Sequence, residues 1–398
     1  MLRRRVILIS QLLVSLSIAG IGFAQHEFKP QVIDSKVAIG YGVAIGDVDG
    51  DGKLDILLAD QKQFVWYQNP NWTRHVMVEN LTELDNVCIA ARDIDGDGKV
   101  EVAVGARWNP GDTEKSGSVH YLHPADDRTK PWKPIELVHE PVVHRMRWVR
   151  LSKNKFVLVV APLHGRGNID GNGKGVRLLA YAPPSKPETQ PWTTTVLDDE
   201  LHVTHNFDVA NSYESNEDKS AEEIFYLGKD GALQITNHDG HWKKRLLPMV
   251  EGGGEIRLGR LSKTIPFLAS VEPFHGDKLV VYEYLEAEQL QNPRRLVVDE
   301  NLAQGHGLAT GDFLGIGSDQ IVVGWRNPNA DGKVGIKIFQ KSNDGGDTTK
   351  SDWKGSWLDE NGIACEDLQA ADLDGDGDLD IVASGRSTHN LKIYWNQR

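Results

Sequence analysis

The chain has 398 residues and a formal net charge of -13, with 39 % hydrophobic and 25 % charged residues. Its 11 Trp, 9 Tyr and 10 Phe supply enough apolar area to exclude a disordered chain. The acid excess excludes nucleic acid as a bulk partner, because neutralising phosphates takes clustered Lys and Arg. The two cysteines exclude a disulfide scaffold and a four-cysteine zinc site.

Residues 1–24 read as a Sec signal peptide. Arg3, Arg4 and Arg5 precede an apolar run from Val6 to Ala19, and Gly22-Phe23-Ala24 places small residues at a cleavage site. An uncleaved membrane anchor is the alternative. Cleavage leaves 25–398 as a periplasmic or extracellular protein with no further membrane span, in compartments where calcium is abundant.

Next comes a repeat. Asp47-Val-Asp-Gly-Asp-Gly-Lys-Leu-Asp55, Asp93-Ile-Asp-Gly-Asp-Gly-Lys-Val-Glu101 and Asp372-Leu-Asp-Gly-Asp-Gly-Asp-Leu-Asp380 each sit between short apolar runs, which is a strand, an acidic turn and a strand. A weaker copy starts at Asp312. Arg150, Asn211 and Arg260 hold the same place in three degenerate copies. The seven reference positions are about 46 to 61 residues apart, room for four strands each. The pattern predicts an all-β chain: one seven-bladed β-propeller of four-stranded blades over 25–398. The stretch from Gln31 to Asp34 is expected to complete the last blade, and closure removes exposed sheet edges.

The three complete acidic loops are predicted to bind structural Ca2+. Their ligands are Asp47, Asp49, Asp51 and Asp55; Asp93, Asp95, Asp97 and Glu101; and Asp372, Asp374, Asp376 and Asp380. Carboxylates at this density suit a hard cation and repel one another without one.

Six residues before each reference position stand Tyr41, Val87, His144, His205, Gly254, His306 and Glu366. In a propeller the first strand of every blade lines the central channel, so these positions form a ring. Three imidazoles in register predict a site for Zn2+ or another divalent transition metal. The loops between second and third strands open on the same face. They bring Asp60, Arg107, Trp108, His164, Lys229, Glu272, His275, Arg326 and Arg386, with Trp325 adjacent. This set suits a hydroxylated, carbonyl-bearing or anionic sugar, stacked on Trp108 or Trp325 and bonded by arginines.

The acidic repeats resemble FG-GAP or VCBS repeats. A narrower resemblance rests on Val143-His-Arg-Met146, His205 with Leu227-Gly-Lys-Asp-Gly231, Val271-Glu-Pro-Phe-His-Gly276 and Gly305-His-Gly-Leu-Ala-Thr-Gly-Asp312. These are similar to the propeller domain of aldos-2-ulose dehydratase/isomerase. That resemblance implies a zinc ion in an active-site cleft, elimination of water from an oxidised sugar, and His144, His205, His275 and His306 as the zinc and active-site set.

The expected function is a secreted, carbohydrate-active, zinc-dependent carbon–oxygen lyase. It would perform β-elimination on a keto-sugar or glycoside, with Glu366 or a non-ligating His as base and Glu272 orienting His275. Arg107, Trp108, His164, Lys229, Arg326 and Arg386 would bind substrate. The alternatives are a non-catalytic calcium propeller that binds a glycan or protein, and a polysaccharide lyase acting on uronates.

Overall fold

The computed structural model describes residues 27–211, 221–284, 292–342 and 352–398. The expected signal peptide lies outside them. Within them the chain forms seven four-stranded antiparallel sheets arranged as the blades of a propeller. Blades 1 to 7 begin with inner strands Gly42–Gly46, Cys88–Arg92, Val143–Ser152, Thr204–Asn211, Glu255–Arg260, Gly305–Gly311 and Cys365–Ala371. No helix among the described residues is long and apolar enough to cross a membrane.

Burial explains the pattern. Second strands such as Asp55–Ala59, Glu101–Ala106 and Asp380–Gly385 are buried along their whole length, because a neighbouring blade covers each face. Fourth strands such as Lys133–Leu137 are largely exposed at the rim. The core is therefore divided into clusters between blades; Leu57 and Trp66 of blade 1 pack with Val102 and Leu122 of blade 2.

Closure follows the expected route. Phe28–Asp34 pairs antiparallel with Asn390–Asn396 as the fourth strand of blade 7, with Phe28 opposite Asn396. Two asparagines then join neighbouring blades beneath the acidic turns. Asn69 Nδ2 of blade 1 donates to Leu373 O of blade 7 at 2.8 Å, and Asn396 Nδ2 of blade 7 donates to Phe313 O of blade 6 at 2.8 Å. Meander connectivity places the acidic turns on one face and the starts of the inner strands on the other. The second face holds the candidate site.

Candidate functional site

Four of the seven ring positions enter the channel through the same backbone device. The ladder register of the inner strand shifts between Val143 and Arg145, Thr204 and Phe207, Gly305 and Gly307, and Cys365 and Asp367. His144, His205, His306 and Glu366 occupy these shifts. A bulge turns its residue out of the alternation that would direct it between blades. In blade 5 the ring position is Gly254, where a Cβ would lie 3.8 Å from His205 Nδ1 and 3.2 Å from the His275 backbone nitrogen. The vacant place is filled from another loop: His275, at φ 51°, reaches in between the second and third strands of the same blade.

The result is a contiguous imidazole cluster. Ring centroids are 4.4 Å apart for His144–His205, 4.4 Å for His205–His275, 4.7 Å for His205–His306 and 5.1 Å for His275–His306. One ligand nitrogen each from His205, His275 and His306 lies within 4.8 Å of the others.

Neighbouring carbonyls fix the tautomers. His144 Nδ1 lies 2.9 Å from His205 O, His205 Nδ1 lies 3.1 Å from Gly254 O, and His306 Nδ1 lies 2.5 Å from Glu366 O. A carbonyl only accepts, so each Nδ1 carries the proton and each Nε2 keeps its lone pair. Glu255 Oε1 adds a second contact to His205 Nδ1 at 2.9 Å. His205 Nε2 and His275 Nε2 are buried and have no hydrogen-bond partner among the described residues. Such orphaned nitrogens are costly unless something absent from the protein itself satisfies them. Burial pushes the pKa values of His144, His205 and His306 well below the usual imidazole range, and Arg145, His275 and Arg326 respectively add to the shift. His275 is pushed down to about 3 by burial and by Arg326. All four rings are therefore neutral near pH 7, the form that ligates metals. The donor set, the fixed tautomers and the orphaned nitrogens fit a bound transition-metal ion.

Around the cluster runs a closed rim of contacts. The Trp108 ring lies 5.1 Å from His144, and Phe274 lies 4.6 Å from His275 with Lys229 Nζ 5.2 Å above its face. Glu366 is almost fully buried and accepts from Arg326 Nη1 at 3.1 Å to each oxygen and from Arg386 Nη1 at 2.8 Å. Arg326 also donates to Gln304 Oε1 at 2.9 Å. Arg386 stacks over Tyr41, whose hydroxyl donates to Asp85, and Asp85 O accepts from the Trp108 backbone nitrogen, which completes the circuit. His164 sits beside this rim, its pKa lowered by burial and by Lys229.

Some expected residues face elsewhere. Trp325 is fully buried in the blade 6 core, its indole nitrogen donating to Lys333 O, so only Trp108 of the two tryptophans is placed to stack on a ligand. Glu272 accepts from Tyr282 at 2.8 Å and from Arg295 at 2.6 Å, and no hydrogen bond among the described residues joins it to His275. Arg107 pairs with Glu136 of the outer strand at 3.9 Å. Asp60 accepts the backbone nitrogens of Ala38, Ile39 and Gly40 and anchors the segment before blade 1. Sequence reasoning did not single out Gln304 and Phe274 at the rim, or Arg145 and Glu255 one residue deeper than the ring. A count one position further along each inner strand would have found the last two.

The acidic loops share one geometry on the opposite face. Gly50 N and Gly52 N donate to the two oxygens of Asp47 at 2.7 and 2.8 Å, and Val48 N donates to Asp55 at 2.8 Å. The glycines adopt φ 82° and 84°, in the left-handed region that favours a residue without a Cβ. Asp47, Asp49 and Asp55 offer oxygens within 4.8 Å of one another, as do Asp93, Asp95 and Glu101, and Asp372, Asp374 and Asp380. Asp51, Asp97 and Asp376 stand outside these triads and accept the backbone nitrogens of Lys53, Lys99 and Asp378. Blade 6 carries a degenerate copy. Asp312 accepts Ile316 N and Gly317 N, and Gln320 accepts Leu314 N, each at 2.8 Å, with Leu314 and Ile316 where blade 1 has Asp49 and Asp51. The blade 6 turn thus closes by a different pattern from blade 1, with two of these three donors one residue further along. At this end of the channel a cavity of about 330 Å3, lined by Arg92, Arg147, Asp208 and Glu222, receives nothing from the His cluster.

Comparison with known proteins agrees with this architecture. The family model described as the β-propeller domain of aldos-2-ulose dehydratase matches residues 116–284, which include His144, His205 and His275. The FG-GAP-like repeat matches residues 47–104. Over residues 116–284 the chain is thus similar to the propeller domain of a sugar dehydratase. A search of curated proteins finds no significant match. Among solved structures, BBS1N in complex with ARL6DN, soaked with mercury, is 14 % identical with a TM-score of 0.55, covering 93 % of this chain and 96 % of its own. A chain of the mitotic checkpoint complex is 10 % identical with a TM-score of 0.56, covering 99 % of each. These two likenesses show the fold alone.

Proposed function

We propose that the channel mouth is a transition-metal centre that promotes β-elimination on an oxidised sugar or glycoside. The observation that carries this is the pair of buried, unpartnered nitrogens, His205 Nε2 and His275 Nε2, in a three-imidazole cluster. His205, His275 and His306 would hold the ion, and an all-imidazole donor set suits zinc. When bound, the ion supplies Lewis acidity to a substrate carbonyl, which acidifies the adjacent C–H.

The chain's own residues supply the rest. Trp108 and Phe274 offer apolar faces for a sugar ring at the rim. His144 is the proton acceptor in this reading: its Nδ1 is bound to His205 O, its Nε2 lone pair is available, and it stacks against Trp108. Glu366 suits that role less well, because arginine hydrogen bonds occupy both its oxygens. It instead holds Arg326 and Arg386 at the rim, where their charge favours electron-rich substrate oxygens. The proton on His144 is then available to the departing β-oxygen, and the products are an unsaturated carbonyl compound and water or an alcohol. The acidic triads of blades 1, 2 and 7 would hold Ca2+ in a structural role.

The test is a screen of keto-sugars and uronate-bearing oligosaccharides for the ultraviolet absorbance of a conjugated product. It uses the wild type, the chelated protein and His144→Gln. Turnover that is lost on chelation, and falls at least about a hundredfold in His144→Gln, supports the reading. Turnover that survives chelation, or is unchanged in His144→Gln, contradicts it.

A further inference from the structure

The least explained charge in the molecule is Arg145. It follows His144 in the inner strand of blade 3 and is only 6 % exposed. Among the described residues its one side-chain hydrogen bond runs from Nη1 to His144 O at 3.2 Å. Nε and Nη2 are buried and have no partner. These two nitrogens share one edge of the guanidinium plane, the edge that matches a carboxylate with two parallel bonds. The acids at the same depth are engaged elsewhere. Glu255 contacts His205 and receives Asn206 Nδ2 at 2.7 Å, and Asp367 accepts the backbone nitrogens of Val43 and Leu368. No carboxylate lies within ion-pair distance of Arg145 among the described residues.

The rim above carries a matching imbalance. Arg326 and Arg386 share the single carboxylate of Glu366, and Lys229 faces the Phe274 ring rather than an acid. A protein of net charge -13 has thus gathered Arg145, Arg326, Arg386 and Lys229 at one channel mouth. Concentrated positive charge in a concave, poorly hydrated site draws in anions.

We infer that the site takes an acidic sugar, and that the free Nε–Nη2 edge of Arg145 receives its carboxylate. This rests on the proposed elimination reaction and names its substrate class: a uronate rather than a neutral keto-sugar. A carboxylate on that edge satisfies both orphaned donors, and Arg326, Arg386 and Lys229 steer it inward.

The experiment measures binding by titration calorimetry at neutral pH and fixed ionic strength, with D-glucuronate and D-glucose as probes. The wild type, Arg145→Lys and Arg145→Met are compared, with metal content and Tm recorded for each. The wild type should bind glucuronate at least about tenfold more tightly than glucose. Arg145→Met should abolish the preference, and Arg145→Lys should retain part of it, keeping the charge without the fork. Equal affinity for the two sugars in the wild type, which needs no variant to fold, overturns the inference. So does an undiminished preference in Arg145→Met. Metal content separates the two ideas: a glucuronate preference in a protein without transition metal leaves the acidic-sugar inference standing and removes the elimination reading beneath it.

Discussion

Asp49→Asn should change the sign of its effect on stability with calcium. In the metal-free protein, Asp49 lies with Asp47 and Asp55 in a triad whose oxygens are within 4.8 Å of one another. Two like charges at that distance repel by about 1 kcal/mol in a water-like dielectric, and more where solvent is excluded. Neutralising Asp49 removes two of the three repulsive pairs, worth about 2 kcal/mol. Against this, the carboxylate accepts from Gln68 Nε2 at 2.6 Å and from Asp51 N at 3.1 Å, and an amide keeps only one acceptor oxygen. That loss costs about 1 kcal/mol. The bonds from Gly50 N and Gly52 N to Asp47 do not use Asp49, so the turn keeps them in the variant. The net expectation in chelator is a gain of about 1 kcal/mol, measured by urea denaturation at low salt. The pH should be near 8, above the value of about 7 to which burial raises Asp55. In millimolar calcium the order reverses, because the wild type gains more from the ion. A variant that is less stable in both buffers, or more stable in both, refutes the assignment of this triad to a cation.

Other outcomes follow from the same geometry. Asn69→Ala removes the Nδ2 bonds to Leu54 O and Leu373 O, leaves both carbonyls unpaired, and should cost about 2–4 kcal/mol with an unchanged urea m value. His120→Gln should gain on the wild type as pH falls. Burial lowers His120 from 6.5 to about 4, so between those values the unfolded chain binds the proton and the native chain does not. The wild type therefore holds its full stability above about pH 6.5 and loses on the order of 3 kcal/mol by pH 4, which the variant avoids. Tm against pH for the two chelated proteins measures the difference, and parallel curves would contradict it. Trp108→Ala should raise KM more than it lowers kcat, because the indole contributes stacking area rather than a reacting atom.

Much of this was legible because the repeat is a ruler. Counting back from the acidic turns placed His144, His205, His306 and Glu366 on one ring, and they do share the second position of their inner strands. The closing strand was found because the last unit lacked a partner, and Phe28–Asp34 fills that place. What failed depended on parity and on loops. Trp108 lies two residues beyond a strand ending at Ala106 and is half-buried at the rim, whereas Trp325 is still the last residue of its strand and turns into the core. One residue of strand length decides the face, and composition does not report it. Glu272 likewise ends a strand and points to Tyr282. His275 and Gly254 formed a compensating pair that only the assembled blade displays. Arg145 was reachable by counting one position past the ring, but the open edge of its guanidinium is visible only once the partners around it are known.

The most direct test is elemental analysis of the protein purified without chelators, alongside His306→Ala. His306 contributes one of the three clustered nitrogens and is anchored by Glu366 O at 2.5 Å, so its loss should weaken the metal by more than the roughly 10- to 100-fold that follows removal of a supporting partner. The account predicts about one transition-metal ion per chain in the wild type, its loss in the variant, and calcium retained in both. Calcium without any transition metal in the wild type, or an undiminished transition metal in His306→Ala, would contradict it.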